Sequence, residues 1–467
     1  MYNEQIDRLL DGWKDELIAT LQGWLAIDSQ ADESAPAPNA PFGPAVRGML
    51  DLALSDARKM GFETEDVDGY AGVVRMGSGE KNMGILAHLD IVPAGDGWTK
   101  NPFGGELADG RIYGRGTADD KGPAVAALFA MRAVREAGIP LRDGVQLILG
   151  CDEENGMADM RYYRAHRRIP DYAFSPDAEY PLINIEKGGL HVVLRAVGGD
   201  EESARVPVYS MRAGERVNVV PGAAQAEVGT GRVSAAEMNE LFARKGLNVR
   251  AVALSEGRAR LEATGVGAHA SMPHLGVNAA GLLLLALKEL GAGGGSAKAI
   301  AALADKLGLE GDGQSLGIAM SDEKSGSLTC NLGLLCYDGR ELSVHLDIRY
   351  PLCAEEGDLC GRMVMALSGT PLCVARQGGH PVHYVPEDHK VVRGLLEVYH
   401  DLTGLPARAI AIGGGTYSQT MPNTVAFGIC FPGDEDPCHM PDEYVEVDKL
   451  MLSARIMAHA IEKLAGE

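Results

Sequence analysis

The 467-residue sequence predicts an α/β fold, in which a mainly parallel sheet with helices on both faces is interrupted by an inserted α+β lid domain. A chain of this length exceeds the size at which one hydrophobic core stops growing, so at least two domains are expected. Alternating helices and apolar strands are typical of a parallel sheet. Here a helical pattern at 122–137 alternates with apolar segments at 71–76, 84–91 and 145–151. Strand-rich segments after residue 187 indicate the insertion.

The first part of the α/β domain covers residues 1–187. It begins with an amphipathic helical pattern at 5–27, a loop rich in proline, alanine and serine, and a second helix near 45–60. The insertion, residues 188–380, is long enough for two subdomains. Its predicted elements are a helix near 276–290 and strands at 189–197, 216–229, 258–265, 326–336 and 341–349. The second part, residues 381–467, has predicted helices near 387–403 and 447–465 and strands at 408–412 and 424–431.

The composition argues against several partners. Lys and Arg total 43 against 65 Asp and Glu, and the formal charge of −22 repels phosphate backbones and anionic lipid. We therefore expect neither nucleic acid nor a membrane as a partner. The apolar runs are far shorter than the roughly 20 residues that span a bilayer, and the start resembles no signal peptide. Eight sparse cysteines without a CxxC pair favour reduced thiols and a cytoplasmic location.

A histidine and an aspartate lie near the end of one apolar strand. His88 and Asp90 are two residues apart, so their side chains lie on one face of the strand. An aspartate in this position can orient an imidazole that binds a metal ion. A histidine near an aspartate is also common in purely structural roles, so the pair by itself leaves both explanations open.

Two adjacent acids, Asp119 and Asp120, lie in the glycine-rich segment 114-GRGTADDKGP-123, at the start of the helical pattern. Acidic residues are favoured at helix N-termini by capping and by the helix dipole, which is the simpler explanation. Two carboxylates in a glycine-framed turn are also what a bridging metal ligand and its support require. One aspartate can give an oxygen to each of two cations.

Three consecutive acids, Asp152, Glu153 and Glu154, follow another apolar strand. A solvated acidic loop is the usual explanation for such a run. At the carboxyl end of a buried strand, however, neighbouring side chains diverge, so one glutamate can bind a metal ion while the other faces a bound water. Asp177 repeats the pattern after a further strand, and His439 adds an imidazole to an acidic segment near the end of the chain.

Together these residues have the composition of a site for two metal ions, with the candidate ligands His88, Asp119, Glu154, Asp177 and His439. Two imidazoles and three carboxylates suit a pair of zinc-like or manganese-like ions that keep open positions for water. With two divalent ions and a bridging hydroxide, this ligand set is electrically neutral.

The motifs also resemble a known family. The segments HLD, GRGTADDKGP, DEE, SPDAEYP and CHMPDE, in this order and spacing, are similar to those of the metallopeptidase family of aminoacylases, succinyl-diaminopimelate desuccinylases and bacterial dipeptidases. The GRGTADDKGP form, the SPDAEYP segment and the chain length look most like the dipeptidase V branch. The resemblance covers almost the whole chain, and the motifs are specific in combination although each one alone is weak.

The resemblance implies a role for each candidate residue. It implies two overlapping ligand sets: His88, Asp119 and Asp177 for one ion, and Asp119, Glu154 and His439 for the other. Asp90 would orient the first histidine, and Glu153 would be the general base. The family also implies a cis peptide bond after Asp119. The implied cofactor is two divalent metal ions, zinc first, with manganese or cobalt as alternatives.

The resemblance extends into the insertion. His269, in 265-GVGAHASMPHLGVNAA-280, matches a lid histidine that reaches across to polarise the scissile carbonyl, and His274 is the nearby alternative. Asn218 matches a polar group near the same oxyanion. The resemblance therefore implies that the inserted domain supplies part of the catalytic machinery.

Further residues could bind the substrate. Arg349 would bind the substrate's terminal carboxylate through two parallel hydrogen bonds, although a strand arginine by itself is more often part of a surface ion pair. Gly414 and Gly415, in 413-GGGTYS-418, could let the backbone approach the substrate closely. A tight turn explains these glycines equally well.

The expected activity is hydrolysis of short peptides that have a free C-terminal carboxylate, with a dipeptide as the natural substrate. A water bridging two metal ions would attack the peptide carbonyl, and Glu153 would take its proton and deliver it to the leaving amine. An N-acyl amino acid deacylase or desuccinylase on the same fold is the alternative. An inactive binding protein is a further one, against which the complete set of site residues argues. The long insertion predicts a functional monomer.

Overall fold

The computed structural model of the protein describes residues 2–32, 34–201, 203–255 and 257–466. The chain divides into two compact units. Unit 1 comprises Met1–Glu186, His383–Ile410 and Gly415–Glu467, and unit 2 comprises Lys187–Val382 and Ala411–Gly414. Unit 2 is thus inserted between segments of unit 1. The predicted division of the insertion into two subdomains stays a prediction.

The elements are numbered in chain order. The helices are α1 (Glu4–Gly12), α2 (Lys14–Leu25), α3 (Pro44–Lys59), α4 (Lys121–Glu136), α5 (Ala158–His166), α6 (Ala235–Lys245), α7 (Ala279–Leu290), α8 (Ala297–Lys306), α9 (Glu356–Ala366), α10 (Lys390–Thr403) and α11 (Val447–Ala465), with 3-10 turns at Pro273–Leu275 and Tyr417–Thr420. The strands are β1 (Glu63–Val67), β2 (Ala71–Met76), β3 (Asn82–His88), β4 (Glu106–Ala108), β5 (Arg111–Tyr113), β6 (Gly144–Gly150), β7 (Tyr172–Ser175), β8 (Ala178–Glu179), β9 (Ile183–Glu186), β10 (Gly188–Val197), β11 (Val208–Ala213), β12 (Val219–Val220), β13 (Ala223–Gly229), β14 (Val249–Ala253), β15 (Arg258–Thr264), β16 (Ala268–His269), β17 (Ser321–Asp322), β18 (Gly326–Ser327), β19 (Thr329–Tyr337), β20 (Glu341–Tyr350), β21 (Cys373–His380), β22 (His383–Tyr384), β23 (Ile410–Ile412), β24 (Thr424–Ala426), β25 (Ile429–Cys430) and β26 (Tyr444–Glu446).

The main sheet of unit 1 is parallel at its centre and antiparallel at both edges. Its strand order is β1-β2-β6-β3-β7-β24-β9-β22. The neighbours β6, β3, β7 and β24 run parallel, whereas β1, β2, β9 and β22 pair in the antiparallel direction. The β1–β2 connection is a tight turn in which Asp68 and Gly69 have φ values of 53° and 77°, and such a short turn can join only antiparallel strands. The predicted α/β class is confirmed, with parallel pairing in the central strands.

The candidate metal-site residues lie at one edge of the sheet, at or after the ends of parallel strands. β3 ends at His88, β6 ends at Gly150 and β7 ends at Ser175. Glu153 follows the end of β6, and Asp177 follows the end of β7. Because parallel strands have their carboxyl ends at the same edge, these side chains leave the sheet together.

Helix α4 fixes the position of the acids that precede it. Its sequence is rich in alanine, and every residue from Lys121 to Met131 is buried. The small side chains allow α4 to pack closely against β3 and α11 within the core of unit 1. Asp119 and Asp120 immediately precede the helix, so they are held close to the end of β3.

Unit 2 is built on an antiparallel sheet with one apolar and one polar face. The strand order is β14-β15-β13-β11-β19-β20-β10-β21. In β20, Leu346 and Ile348 are fully buried in a core shared with α7 and α8. Because successive side chains in a strand point to opposite faces, His345, Asp347 and Arg349 lie on the other face.

The predicted helix at 5–27 is two helices. α1 ends at Gly12 and α2 begins at Lys14, with Trp13 between them at φ −106° and ψ 10°. Glycine is a poor helix former, and the Trp13 ring lies 4.0 Å from the Arg132 guanidinium. The prediction of one continuous helix is wrong, because apolar periodicity does not reveal a one-residue break. No helix in the described part of the chain is both long and apolar enough to cross a membrane.

The predicted strand at 216–229 is also interrupted. Pro221 and Gly222 separate β12 from β13, since a proline has no N–H for the hydrogen-bond ladder. By contrast, the helices predicted at 45–60, 122–137 and 447–465 are confirmed as α3, α4 and α11. The helices α5, α6, α8 and α9 are not among the predicted elements.

Candidate functional site

The Asp119 carboxylate lies between two imidazoles in unit 1. Its Oδ1 is 2.8 Å from His88 Nε2, and its Oδ2 is 2.9 Å from His439 Nε2. Each oxygen therefore faces a different histidine, from opposite ends of the chain. This is the arrangement expected of a carboxylate shared between two cations.

Two further acids extend the cluster, one toward each histidine. Asp177 Oδ2 lies 3.7 Å from His88 Nε2, and Glu154 Oε1 lies 3.2 Å from His439 Nε2. The structure thus brings together both ligand sets that the resemblance implies, with Asp119 common to the two. Imidazole nitrogens and carboxylate oxygens are donors that zinc, manganese and cobalt accept, so the residues fit a pair of divalent ions.

Both glutamates of the acidic run reach this cluster. His88, Glu153 and Asp177 can each offer one ligand atom within 4.8 Å of the others, and so can His88, Asp119 and Glu154. The contact between Glu154 and His439 favours Glu154 as the metal ligand. The assignment of Glu153 as the general base stays a prediction.

Asp90 acts on the acidic run as well as on the histidine. His88 Nδ1 lies 3.0 Å from the backbone oxygen of Asp90 and 3.4 Å from its Oδ1. The two carboxylate oxygens of Asp90 accept hydrogen bonds from the backbone N–H groups of Glu153 and Glu154, both at 3.1 Å. Asp90 is fully buried, so it ties the end of β3 to the loop after β6. The sequence pattern indicates only its proximity to the histidine.

Asp120 holds the backbone of His88. Its Oδ2 accepts a hydrogen bond of 2.9 Å from the backbone N–H of His88. Its side chain is fully buried, and burial raises its pKa well above the usual range. The peptide bond between Asp119 and Asp120 is cis, as the resemblance implies.

Burial and neighbouring groups raise the pKa values of three residues in the cluster. Burial, followed by the charge of Asp119, raises the pKa of Asp177 to about 8. Burial and then the charge of Asp177 raise the pKa of Glu153 well above its usual range. Hydrogen bonds to Asp119 and Glu154 raise the pKa of His439 to about 11. Metal ions would therefore have to displace protons from these residues.

Metal binding is expected to release protons, because the ligands must be deprotonated. Since the pKa of Asp177 is raised to about 8, protons compete more strongly as the pH falls. The apparent affinity for zinc or manganese should therefore decrease from about pH 8 to about pH 6. Isothermal titration calorimetry in buffers of different ionisation enthalpy measures the protons released. An affinity that is constant over this interval would contradict the expectation.

Glu443 is a buried acid that no pattern in the sequence distinguishes. Its Oε1 accepts hydrogen bonds from the backbone N–H groups of Gly116, Ala118 and Asp119, at 3.0, 2.9 and 3.3 Å. Its other oxygen pairs with Arg115. Glu443 thus connects the chain segment of His439 to the turn that holds Asp119. In the sequence it is one more acid in the segment CHMPDE, with no signal of this contact.

The variant Glu443→Gln is expected to bind metal at least about 10-fold more weakly, since groups that orient metal ligands typically contribute 10- to 100-fold to affinity. A glutamine can accept from the turn, but its NH₂ group cannot pair with Arg115. Metal affinity is measured by competition with a chelator. Glu435→Gln, an exposed acid in the same segment as His439, is the control. Equal affinity in both variants would contradict this role.

Unit 2 places the predicted catalytic residue His269 beside the predicted substrate-binding residue Asn218. Val219 of β12 pairs with His269 of β16, and the backbone oxygen of Asn218 accepts a hydrogen bond of 2.9 Å from Ala270. Asn218 and His269 therefore lie on neighbouring backbone segments. His274, the alternative histidine, is exposed in the following 3-10 turn. The catalytic roles of these residues stay predictions.

Arg349 already has a partner in unit 2. Its Nε and Nη2 donate to Oδ1 and Oδ2 of the fully buried Asp347, at 2.7 and 3.0 Å. A guanidinium carries about five N–H donors, so Nη1 and one N–H of Nη2 are not used by this pair. These can form a second fork for a carboxylate. The sequence pattern does not reveal Asp347 as this partner, although it stands two residues away on the same face of β20.

The glycine segment lies where the two units meet in sequence: Gly414 belongs to unit 2 and Gly415 to unit 1. A Cβ at Gly415 would lie 2.5 Å from Gln419 Nε2, whereas a Cβ at Gly414 would meet nothing closer than 3.7 Å. The contacted atom is the far end of the flexible Gln419 side chain, which can shift, so packing alone does not require glycine at 415. The next residue, Thr416, donates to the buried Glu186, a further acid that the sequence does not reveal. The role of both glycines in substrate binding stays a prediction.

Comparisons with known proteins identify related sequences over almost the whole chain. Residues 84–463 match the protein family described as peptidase family M20/M25/M40. The chain is 36% identical to "Putative dipeptidase YtjP" of Bacillus subtilis (strain 168) over 459 residues, which cover 97% of this chain and 98% of that protein. It is 34% identical to the Beta-Ala-Xaa dipeptidase of Lactobacillus delbrueckii subsp. lactis over 463 residues, 98% of each chain.

A solved structure supports the same fold. Human carnosine dipeptidase 1 matches with a TM-score of 0.59 and 15% sequence identity, and the match covers 99% of this chain and 98% of that one. At this identity the likeness shows the fold alone.

Proposed function

This chain belongs to peptidase family M20/M25/M40, and from that membership we propose that it is a two-metal dipeptidase, which hydrolyses short peptides with a free C-terminal carboxylate. The observation that carries the proposal is the position of Asp119, with one oxygen toward His88 and the other toward His439. The names of the two relatives support a dipeptide substrate.

Within unit 1, Glu153 moves the proton. It accepts a proton from the attacking water and then donates it to the leaving amine. Asp90 holds the backbone at Glu153 and Glu154, so that the two carboxylates keep different positions. Bound divalent ions would supply Lewis acidity, which lowers the pKa of water and polarises the scissile carbonyl.

We extend the proposal to unit 2. His269 donates a hydrogen bond to the developing oxyanion, and Asn218 assists at the same oxygen. Arg349 binds the terminal carboxylate with the N–H groups that Asp347 does not use. Gly414 and Gly415 let the backbone approach the substrate. Val219, the neighbour of Asn218, pairs with His269, and this proximity supports a shared role for Asn218 and His269.

Three further features belong to the proposal. Zinc is the first candidate metal, with manganese and cobalt as alternatives, because the donors are imidazoles and carboxylates. The enzyme acts as a monomer, since the long insertion can supply what a partner subunit would otherwise contribute. A cytoplasmic location fits the eight sparse cysteines.

One activity panel tests the proposal. The protein is chelated, refilled separately with zinc, manganese or cobalt, and assayed on Ala-Leu, β-Ala-His and N-acetyl amino acids. We expect hydrolysis of the dipeptides that disappears on chelation and returns with metal. Higher kcat/KM for N-acetyl amino acids would favour the N-acyl amino acid deacylase. No hydrolysis with any metal would favour the inactive binding protein and overturn the proposal.

A further inference from the structure

We propose that Ser271 is a positioning residue for His269. Ser271 holds the His269 imidazole in the tautomer that carries its proton on Nε2. The inference rests on the proposed function, because it concerns the residue proposed to bind the oxyanion. It goes beyond that function by naming the group that sets which ring nitrogen is the donor.

The evidence is a pair of contacts to one ring nitrogen. The backbone N–H of Ser271 lies within hydrogen-bond distance of His269 Nδ1, at 3.3 Å. The Ser271 hydroxyl oxygen lies 2.7 Å from the same nitrogen. A backbone N–H can only donate, so Nδ1 must accept, and the hydroxyl can add a second donated hydrogen bond. A neutral imidazole that accepts at Nδ1 carries its proton on Nε2.

The surrounding backbone keeps Ser271 in this position. His269 is paired with Val219 across β12 and β16, and Met272 N–H donates to the His269 oxygen at 2.9 Å. A Cβ at Gly413 would lie 2.7 Å from the Ser271 Cβ. Only glycine therefore fits beside the serine. This gives the first glycine of the segment 413–418 a physical reason that the sequence alone does not reveal.

The tautomer has a chemical consequence. With its proton on Nε2, the neutral ring can donate a hydrogen bond to the oxygen of the scissile carbonyl as negative charge develops there. The other tautomer would present a lone pair to that oxygen and repel it. Because the interaction strengthens in the transition state, Ser271 should affect kcat more than KM.

The first measurement is steady-state kinetics on a dipeptide. Ser271→Ala should lower kcat about 5- to 10-fold, the loss expected for one hydrogen bond, with KM changed less than about 2-fold. Gly413→Ala should produce the same pattern, because the added methyl group displaces Ser271 without changing either side chain. Ser234→Ala, which removes a serine hydrogen bond at the start of α6, is the control for lost stability and should retain the wild-type kcat.

The second measurement reads the tautomer directly. Long-range ¹H–¹⁵N spectra of the protein labelled at histidine should show His269 protonated at Nε2 in the wild type. Ser271→Ala removes the hydroxyl at 2.7 Å and keeps only the longer backbone contact at 3.3 Å, so part of the population should shift to protonation at Nδ1. A wild-type spectrum with Nδ1 protonated, or a Ser271→Ala variant with unchanged tautomer and unchanged kcat, would overturn the inference.

A third variant separates this inference from the proposed function. If His269→Ala loses activity and Ser271→Ala does not, the inference fails and the function stands. If the wild type hydrolyses no dipeptide, or His269→Ala is fully active, the proposed function or the role of His269 fails. The spectra then still decide whether Ser271 sets the tautomer. In the His269→Ala background, Ser271→Ala should cause no further loss of kcat, since the serine acts through the histidine.

Discussion

Replacement of Glu153 by glutamine is expected to lower kcat for dipeptides at least about 100-fold, while the protein keeps roughly its full metal content. Glutamine has nearly the same shape as glutamate but cannot take a proton from water. The backbone N–H of Glu153 remains bound to Asp90 at 3.1 Å, so the loop should keep its position. The measurement combines kcat with metal analysis by mass spectrometry on the same sample.

Glu154→Gln is the matched comparison, because it makes the same chemical change one residue away. Its carboxylate lies 3.2 Å from His439 Nε2, and an amide oxygen binds a divalent ion more weakly than a carboxylate does. This variant should lose metal as well as activity. Retained metal in Glu154→Gln together with lost metal in Glu153→Gln would reverse the assignment of the two glutamates.

Arg349→Lys is expected to lower kcat/KM for free dipeptides by roughly 10- to 100-fold, although it keeps the positive charge. In the structure the guanidinium holds Asp347 with Nε and Nη2. It can hold a second carboxylate only because it is a planar group with further donors. A lysine ammonium cannot make both bidentate pairs. The measurement compares kcat/KM for dipeptides and for their C-terminal amides.

The amides provide the test of mechanism. They carry no terminal carboxylate, so Arg349→Lys should change their kcat/KM much less than that of the free dipeptides. Arg260→Lys, in which a surface arginine paired with Glu262 is replaced, is the control and should leave both substrates unaffected. Equal losses on both substrates would mean that Arg349 serves only to neutralise the buried Asp347.

The contribution of the sequence is clearest at the strand ends. His88, Glu153 and Asp177 could be selected because each lies at or just after the end of an apolar strand. The carboxyl ends of parallel strands meet at one edge. The pattern also predicts α4 and α11 closely, since periodicity over many residues is a strong signal. It fails at Trp13, where one residue interrupts the helix.

The buried acids that support the candidate site could not be predicted from the sequence, because buried acids give no periodic signal. Glu443, Asp347 and Glu186 each accept hydrogen bonds from a segment that carries candidate site residues. In the sequence they look like ordinary acidic residues. Their role depends on which N–H groups lie within about 3 Å, and that distance is set by packing.

Residue type and strand position are local properties, so the order of residues is enough to predict the α/β class, the inserted domain, and the histidines and carboxylates of the candidate metal site. Three contacts become visible only in the folded chain: Asp119 turns one oxygen to each histidine, Asp90 holds the backbone of both glutamates, and Ser271 faces Nδ1 of His269. Each of these contacts depends on the positions of individual atoms. They follow from how strands, turns and helices pack, because a hydrogen bond requires distances and directions that no linear pattern of residues encodes.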